Sequence, residues 1–413
     1  MPDPVAVQPP RAAPRTFTLT RWQERGLLGV LSAVQFNHIV DFMLIMPLGP
    51  QLMRLFMISP AQFGILVSAY SFSAAIFGFI NALYVDRMNR KTVLLIFFAL
   101  FALATLACGL APTYSLLLIA RALAGAFGGS LNAIVQSIIG DVFPPERRGK
   151  ATGVVASAFS LASVAGVPIA IFIAAAGRWQ YPFILLAVLC IPVWLYARRV
   201  VPDITGHVSG SRANPFTNLV ETLSVRSHQI SFLFGSLLVL SGFTVIPYIS
   251  PYQVANVGIA ERDLAWLYMV GGAATFFTSR WFGRLSDTHG KQRMFTIIAL
   301  LSLLPILITT HFPRTSLLWI LPFSTMFFVL VSGRFVPAMA MMNGSSVARL
   351  RGSFLSINSS LQSLAMGAAT LIGSAFLSKA PNGEVVGYGN VGLFASAMTL
   401  VVIWLSRKMK AVS

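Results

Sequence analysis

The chain is 413 residues long, 56% hydrophobic and 10% charged, with a mean hydropathy of +0.76. Soluble domains carry about 25% charged residues, so this composition excludes a water-facing globular protein and points to an integral membrane chain. The net charge of +18 raises nucleic acid as a partner, which the placement of the cations argues against below; Cys108 and Cys190, both inside apolar runs, offer neither a disulfide framework nor metal-ligand spacing.

Residues 1–25 begin with a Pro- and Ala-rich stretch lacking the apolar core of a signal peptide, so they are expected to form a cytosolic tail ahead of a retained first span. A helix needs about 20 apolar residues to cross hydrocarbon, and helices are required because lipid satisfies no exposed backbone group. Twelve such runs follow, near 26–50, 61–84, 92–111, 114–138, 151–175, 181–197, 229–253, 264–284, 294–311, 317–342, 353–377 and 388–406. The first contains "QFNHIVDFMLIMPLGP", which places Asn37, His38 and Asp41 at helical spacing on one face. Asp41 is the mid-span acid among twelve acidic residues, and a central Asp costs roughly 2.5 to 3.5 kcal/mol to insert. It lies about 15 residues into the run, roughly 22 Å along a helix and near the midplane.

The loops carry the cations. With the N-terminus in the cytosol, inner segments hold 22 of the 30 Lys and Arg, outer loops hold five (Arg54, Arg178, Arg262, Arg314, Lys379), and Arg121, Arg280 and Arg334 lie inside spans. This split fits the positive-inside rule with both termini cytosolic. The basic character thus reports topology, and a nucleic-acid partner is not expected. Arg280 and Arg334, toward the cytosolic ends of their spans, are expected to snorkel to the interface; binding an anionic group or serving an inner gate is the alternative.

The two halves repeat. Pro47 in "MPLGPQL" and Pro247 in "IPYISPYQV" are 200 apart, Asp86 and Asp287 are 201 apart, and the Arg148-Gly149 and Arg351-Gly352 pairs are 203 apart. The chain therefore reads as all-α, with an N-terminal six-helix bundle over 26–197, a cytosolic linker over 198–228, a C-terminal six-helix bundle over 229–406 and a cytosolic tail over 407–413. Such repeats bracket a substrate site near the midplane. By the same offset the counterpart of Asp41 is Ser241, and that of Arg121 falls near Phe323. The ionisable set is thus expected in the N-terminal half alone.

"GRLSDTHGKQ" at 283–292, between spans 8 and 9, resembles the loop signature of the major facilitator superfamily. The first copy, "ALYVDRMNRK" at 82–91, departs from it, with Ala82 and Asn89 where glycines are usual. "RALAGAFGG" at 121–129 and "GVPIAIFIAAAGRWQYPF" at 166–183 resemble the span 4 and span 5 motifs of the twelve-span drug:proton antiporter branch. Gly166-Val167-Pro168, in place of Gly-Pro, is closer to sugar-efflux and arabinose-efflux-like members. Small residues permit close helix approach, and Pro168 removes a backbone donor.

The resemblance implies a secondary transporter of twelve helices in two pseudo-symmetric bundles, energised by the proton gradient with no cofactor. It implies a bacterial inner-membrane location and a single working chain. It also makes Arg121 the partner of Asp41. Burial disfavours a charged carboxylate and a nearby Arg favours it, so a group caught between the two titrates as solvent access alternates. Asp41 is accordingly the candidate proton carrier, with a purely structural ion pair as the plainer alternative. His38, whose reference pKa is near neutrality, is a candidate relay. The loop residues Asp86, Arg87, Arg90, Arg148, Asp287 and Arg351 are expected to form a cytosolic gate, Asp86 meeting the start of span 11 and Asp287 the start of span 5. A carboxylate at a helix N-terminus is favoured there by the helix dipole. Asn37, Phe36, Phe42, Met46, Phe243, Tyr248 and Tyr252 are candidates for the substrate cavity, which suits small amphipathic or drug-like molecules. Sugar or other polar-metabolite efflux, lipid or lysolipid transport, and a non-transporting receptor are the alternatives. No nucleophile–base set, phosphate loop or metal cluster suggests an enzyme.

Overall fold

The computed structural model describes residues 20–84, 88–204 and 215–409. Its first helix, α1 (Arg21–Leu44), starts at a reciprocal cap: the Thr20 side chain accepts from the Gln23 N–H while Gln23 accepts from the Thr20 N–H. The chain turns at Pro47 into the short α2 (Gly49–Leu55). There follow α3 (Pro60–Tyr84), α4 (Arg90–Leu110), α5 (Tyr114–Val142), α6 (Pro145–Leu161), a π-helical turn (Ala162–Gly166), α7 (Val167–Ala176) and α8 (Tyr181–Val200). A short helix, α9 (Pro215–Ser224), precedes α10 (Arg226–Phe243), which breaks at Pro247 before α11 (Ile249–Tyr252). The rest comprises α12 (Leu264–His289), α13 (Lys291–Thr310), α14 (Leu317–Gly333), α15 (Phe335–Gly344), α16 (Arg351–Ala375), a two-residue hairpin pairing Ser378–Lys379 with Val385–Val386, and α17 (Tyr388–Ser406).

Ten of these helical segments are long and apolar enough to cross a membrane, counting α6 to α7, α10 to α11 and α14 to α15 as single broken spans. Helices α12 and α16 are 26 and 25 residues long but more polar, and with them the described residues contain twelve long helical segments in the expected order. Their polar side chains are satisfied locally in part: Thr275, Thr278 and Ser279 each donate to the carbonyl one turn earlier, at 2.7–2.8 Å.

The repeat is visible in detail. Pro47 and Pro247 both interrupt the first helix of their half. Arg148 and Arg351 both fold back five residues, Arg148 Nε donating to the Phe143 carbonyl at 2.9 Å and Arg351 Nε to Ser346 Oγ at 3.4 Å.

The apolar core is distributed unevenly. At the end away from the basic loops, one continuous cluster joins both halves, from Leu44, Met46 and Phe63 to Tyr248, Tyr252 and Tyr388. At the basic end the core is split. One cluster holds only residues between Leu27 and Ile204; the other is built from C-terminal helices, with Phe79 as its N-terminal neighbour. The halves share one core at the far end and keep separate cores toward the basic end, where α3 still packs on α16: a Cβ at Gly78 would come within 2.7 Å of Ser360 Oγ.

Candidate functional site

Asp41 sits one turn before the end of α1, fully buried. Its Oδ2 accepts from Arg121 Nη1 of α5 at 2.9 Å, the same nitrogen lies 3.2 Å from the Asp41 carbonyl, and the Thr105 hydroxyl of α4 donates to Oδ1 at 3.2 Å. The Tyr70 ring of α3 covers the guanidinium, its centroid 4.5 Å away. Four helices therefore converge on one carboxylate. The arrangement is possible because α3 and α5 touch: a Cβ at Gly125 would come within 2.2 Å of the Tyr70 carbonyl. On the other flank a Cβ at Gly166 would come within 2.4 Å of Val40 Cγ2, so α1 runs directly against the π-helical turn that Pro168 follows.

His38 lies beside Tyr70 and Phe101, with ring centroids 6.3 Å away in each case, and its Nδ1 is buried without a partner. Asn37 donates to the Ala33 carbonyl at 2.9 Å. Phe36 packs toward Gly166, and Phe42 meets Phe243 across the halves at 6.2 Å. Met46, Tyr248 and Tyr252 belong to the shared core: Tyr248 donates to the Thr370 carbonyl at 2.8 Å and Tyr252 to the Phe312 carbonyl at 2.9 Å.

Among the described residues, Arg148, Asp287 and Arg351 form no ion pair with one another. Asp86 and Arg87 lie outside the described residues. Arg90 is buried, its Nε paired with Asp141 of α5 at 3.0 Å, so it ties α4 to α5 within one half. Arg148, Arg351 and Asp287 are exposed, and among the described residues Asp287 makes no ion pair. Instead, Arg147 pairs with Glu24 at 2.5 Å and Arg349 with Glu221, each contact binding a half to itself.

A contact between halves that sequence reasoning missed lies at the opposite end. Arg54 Nη1 meets Glu261 Oε1 at 2.7 Å, and this hydrogen bond raises the Arg54 pKa further above its ordinary value. Arg54 stands alone among Leu52, Met53, Leu55 and Phe56, and Glu261 lies in Glu261-Arg262-Asp263, with no pattern pointing one at the other. Just below, Ser68 donates to the Gly367 carbonyl at 3.0 Å.

Two expectations need correcting. Arg334 does not snorkel; it is fully buried at the joint between α14 and α15, with Nη1 donating to Thr399 Oγ1 of α17 at 3.0 Å. The helix pauses there, and the side chain turns into the bundle rather than along it. Buried charge is therefore not confined to the N-terminal half. Arg280 behaves differently, being exposed and lying 3.9 Å from the Phe276 ring centroid.

Comparison with known proteins bears on this architecture. Residues 31–251 match the family model of the Major Facilitator Superfamily. An uncharacterized MFS-type transporter of Bacillus subtilis, YceJ, is 27% identical over 89% of this chain and 93% of its own length. Multidrug resistance protein 2 of the same organism is 23% identical over 66% of this chain and 70% of its own. The crystal structure of a D-xylose-proton symporter superposes with a TM-score of 0.76 at 16% identity, covering 94% of this chain and 98% of that one. With twelve long helical segments among the described residues, a twofold repeat and a family match across more than half its length, the chain is a membrane transporter, not an enzyme, and belongs to the Major Facilitator Superfamily.

Proposed function

We propose that the protein exports small amphipathic, drug-like molecules in exchange for protons by alternating access. The observation that carries this reading is the fully buried Asp41–Arg121 pair, the membrane-embedded acid of the described chain, held at 2.9 Å where four helices meet. A proton delivered to Asp41 cancels the attraction to Arg121 and frees the guanidinium. Loss of the proton restores the pair. The pair thus senses which side supplies protons, and α1 and α5 carry that state to the rest of the N-terminal bundle. His38, three residues earlier on the same helix, passes the proton on in this reading.

The basic loops face the cytosol, with both termini, in a bacterial inner membrane. The single core at the outer side and the two separate cores at the cytosolic side support an outer-closed, inward-facing reading of this conformation. Phe42, Phe243, Met46, Tyr248 and Tyr252 meet at the closed outer end. When that end opens, these side chains line the exit path, offering apolar and aromatic surface to an amphipathic cargo. Asp86 and Asp287 take up their contacts with the starts of α16 and α6 as the cytosolic side closes. One chain contains both bundles and works as a monomer. Gly166-Val167-Pro168 favours a second reading, in which the exported molecule is a sugar or another polar metabolite.

The test is flux in proteoliposomes under an imposed pH gradient. Wild-type protein moves drug-like cations against proton flow, and Asp41→Asn binds the same compounds without moving protons. Undiminished proton-coupled flux in Asp41→Asn rejects the assignment.

A further inference from the structure

We propose that Arg334 is the docking point for a carboxylate on the cargo, so that amphipathic acids are among the molecules carried. The word cargo rests on the transport reading above; the site rests on geometry. Arg334 is fully buried, and a guanidinium keeps its charge at any physiological pH. Its Nη1 is engaged by Thr399, but Nε and Nη2 have no hydrogen-bond partner, and among the described residues no carboxylate forms an ion pair with it. A planar fork with two free donors matches the two oxygens of a carboxylate.

The internal repeat indicates where that carboxylate belongs. In the N-terminal half, Arg121 reaches an acid on the first helix of the bundle, Asp41. The corresponding stretch of the C-terminal half is the end of α10, where the offsets of 200 and 201 place Ser241 and Gly242. Arg334 reaches this same stretch: a Cβ built on Gly242 would lie 3.2 Å from Arg334 Nη2, with Ile246 Cδ1 and Val331 Cγ1 each at 3.7 Å. Arg334 stands 213 residues after Arg121, off the register of the repeat, so the C-terminal bundle brings a cation to the matching stretch from a different position on its helix and omits the acid. The carbonyl end of α10 carries partial negative charge toward this point, yet supplies no hydrogen bond to the two free nitrogens. The site also sits at a discontinuity in a membrane helix, between Gly333 and Phe335. Breaks at such depth occur where protein or a cavity surrounds the backbone, and they are where transporters hold ligands.

The experiment is thermal unfolding of the purified full-length protein in detergent, without any gradient, using 1-naphthoate, its neutral analogue 1-naphthamide, and chloride. Naphthoate is expected to raise the melting temperature of the wild type, and naphthamide and chloride are not. Gly242→Asp places a carboxylate where Asp41 stands in the other half; it should raise the melting temperature without ligand and abolish the naphthoate shift. Arg334→Lys keeps the charge but loses the fork, and should weaken naphthoate binding by about tenfold. Four results overturn the proposal. They are no naphthoate shift in the wild type, an equal shift with naphthamide, a chloride shift as large as that of naphthoate, and naphthoate binding undiminished in both variants. None of these touches Asp41, so a failed anion site leaves the proton-coupling reading standing, and failed coupling leaves the anion site standing.

Discussion

Arg54 and Glu261, 207 residues apart, form an ion pair at 2.7 Å that spans the two halves at the end away from the basic loops. With Arg54 67% exposed at its side chain, the pair is worth about 0.2–1 kcal/mol. Glu261→Gln should therefore shift the balance between closed and open outer ends by a few-fold at most. Spin labels placed on the two outer ends would report the change as a longer distance population. High salt should mimic the substitution, because exposed charges are screened.

The buried pair behaves differently. Removing one member strands the other, so Arg121→Met alone should destabilise the protein by about 3–5 kcal/mol, whereas Asp41→Leu with Arg121→Met should cost markedly less. Thermal unfolding of the two variants in the same detergent tests this. Equal losses would mean that the charges are not coupled.

Gly166 is held against Val40 with no room for a side chain. Gly166→Val should push α1 away from the π-helical turn at a cost of about 1–3 kcal/mol. The shift should also loosen the Asp41 contact with Arg121, visible as faster amide exchange in α1 near Asp41.

Asp287 is exposed and makes no ion pair among the described residues in this conformation. Asp287→Asn should leave the stability of the described state unchanged while making it more populated, since the substitution weakens only the opposite state. Cysteine accessibility at the basic end would rise. Unchanged accessibility would argue against a gate role for Asp287.

Much of the architecture was legible because lipid imposes simple rules. Apolar run length located the helices, and the offset of Pro47 and Pro247 pointed to a repeat, though not to the break that both halves share at these prolines. Asp41 stood out because an acid in oil has no ordinary reason to be there. What was not legible was what completes its surroundings. Thr105 and Tyr70 carry no motif that sets them apart from other polar side chains of α4 and α3, and their approach to the site depends on helix rotation, which composition does not encode. Asp141 lies just past the expected end of its span, so its grip on Arg90 went unread. Arg334 was misjudged because position along a span indicates depth, whereas burial depends on where the helix pauses.

The uneven core has a thermal consequence. Opening the outer end separates a shared apolar cluster, while closing the basic end brings together loops that expose the charged Arg148, Asp287 and Arg351. The switch therefore trades oily contact for polar contact and carries a positive heat-capacity change. Cooling weakens apolar association. The equilibrium should accordingly drift toward the outward-open form as temperature falls, with a curved van't Hoff plot as its signature.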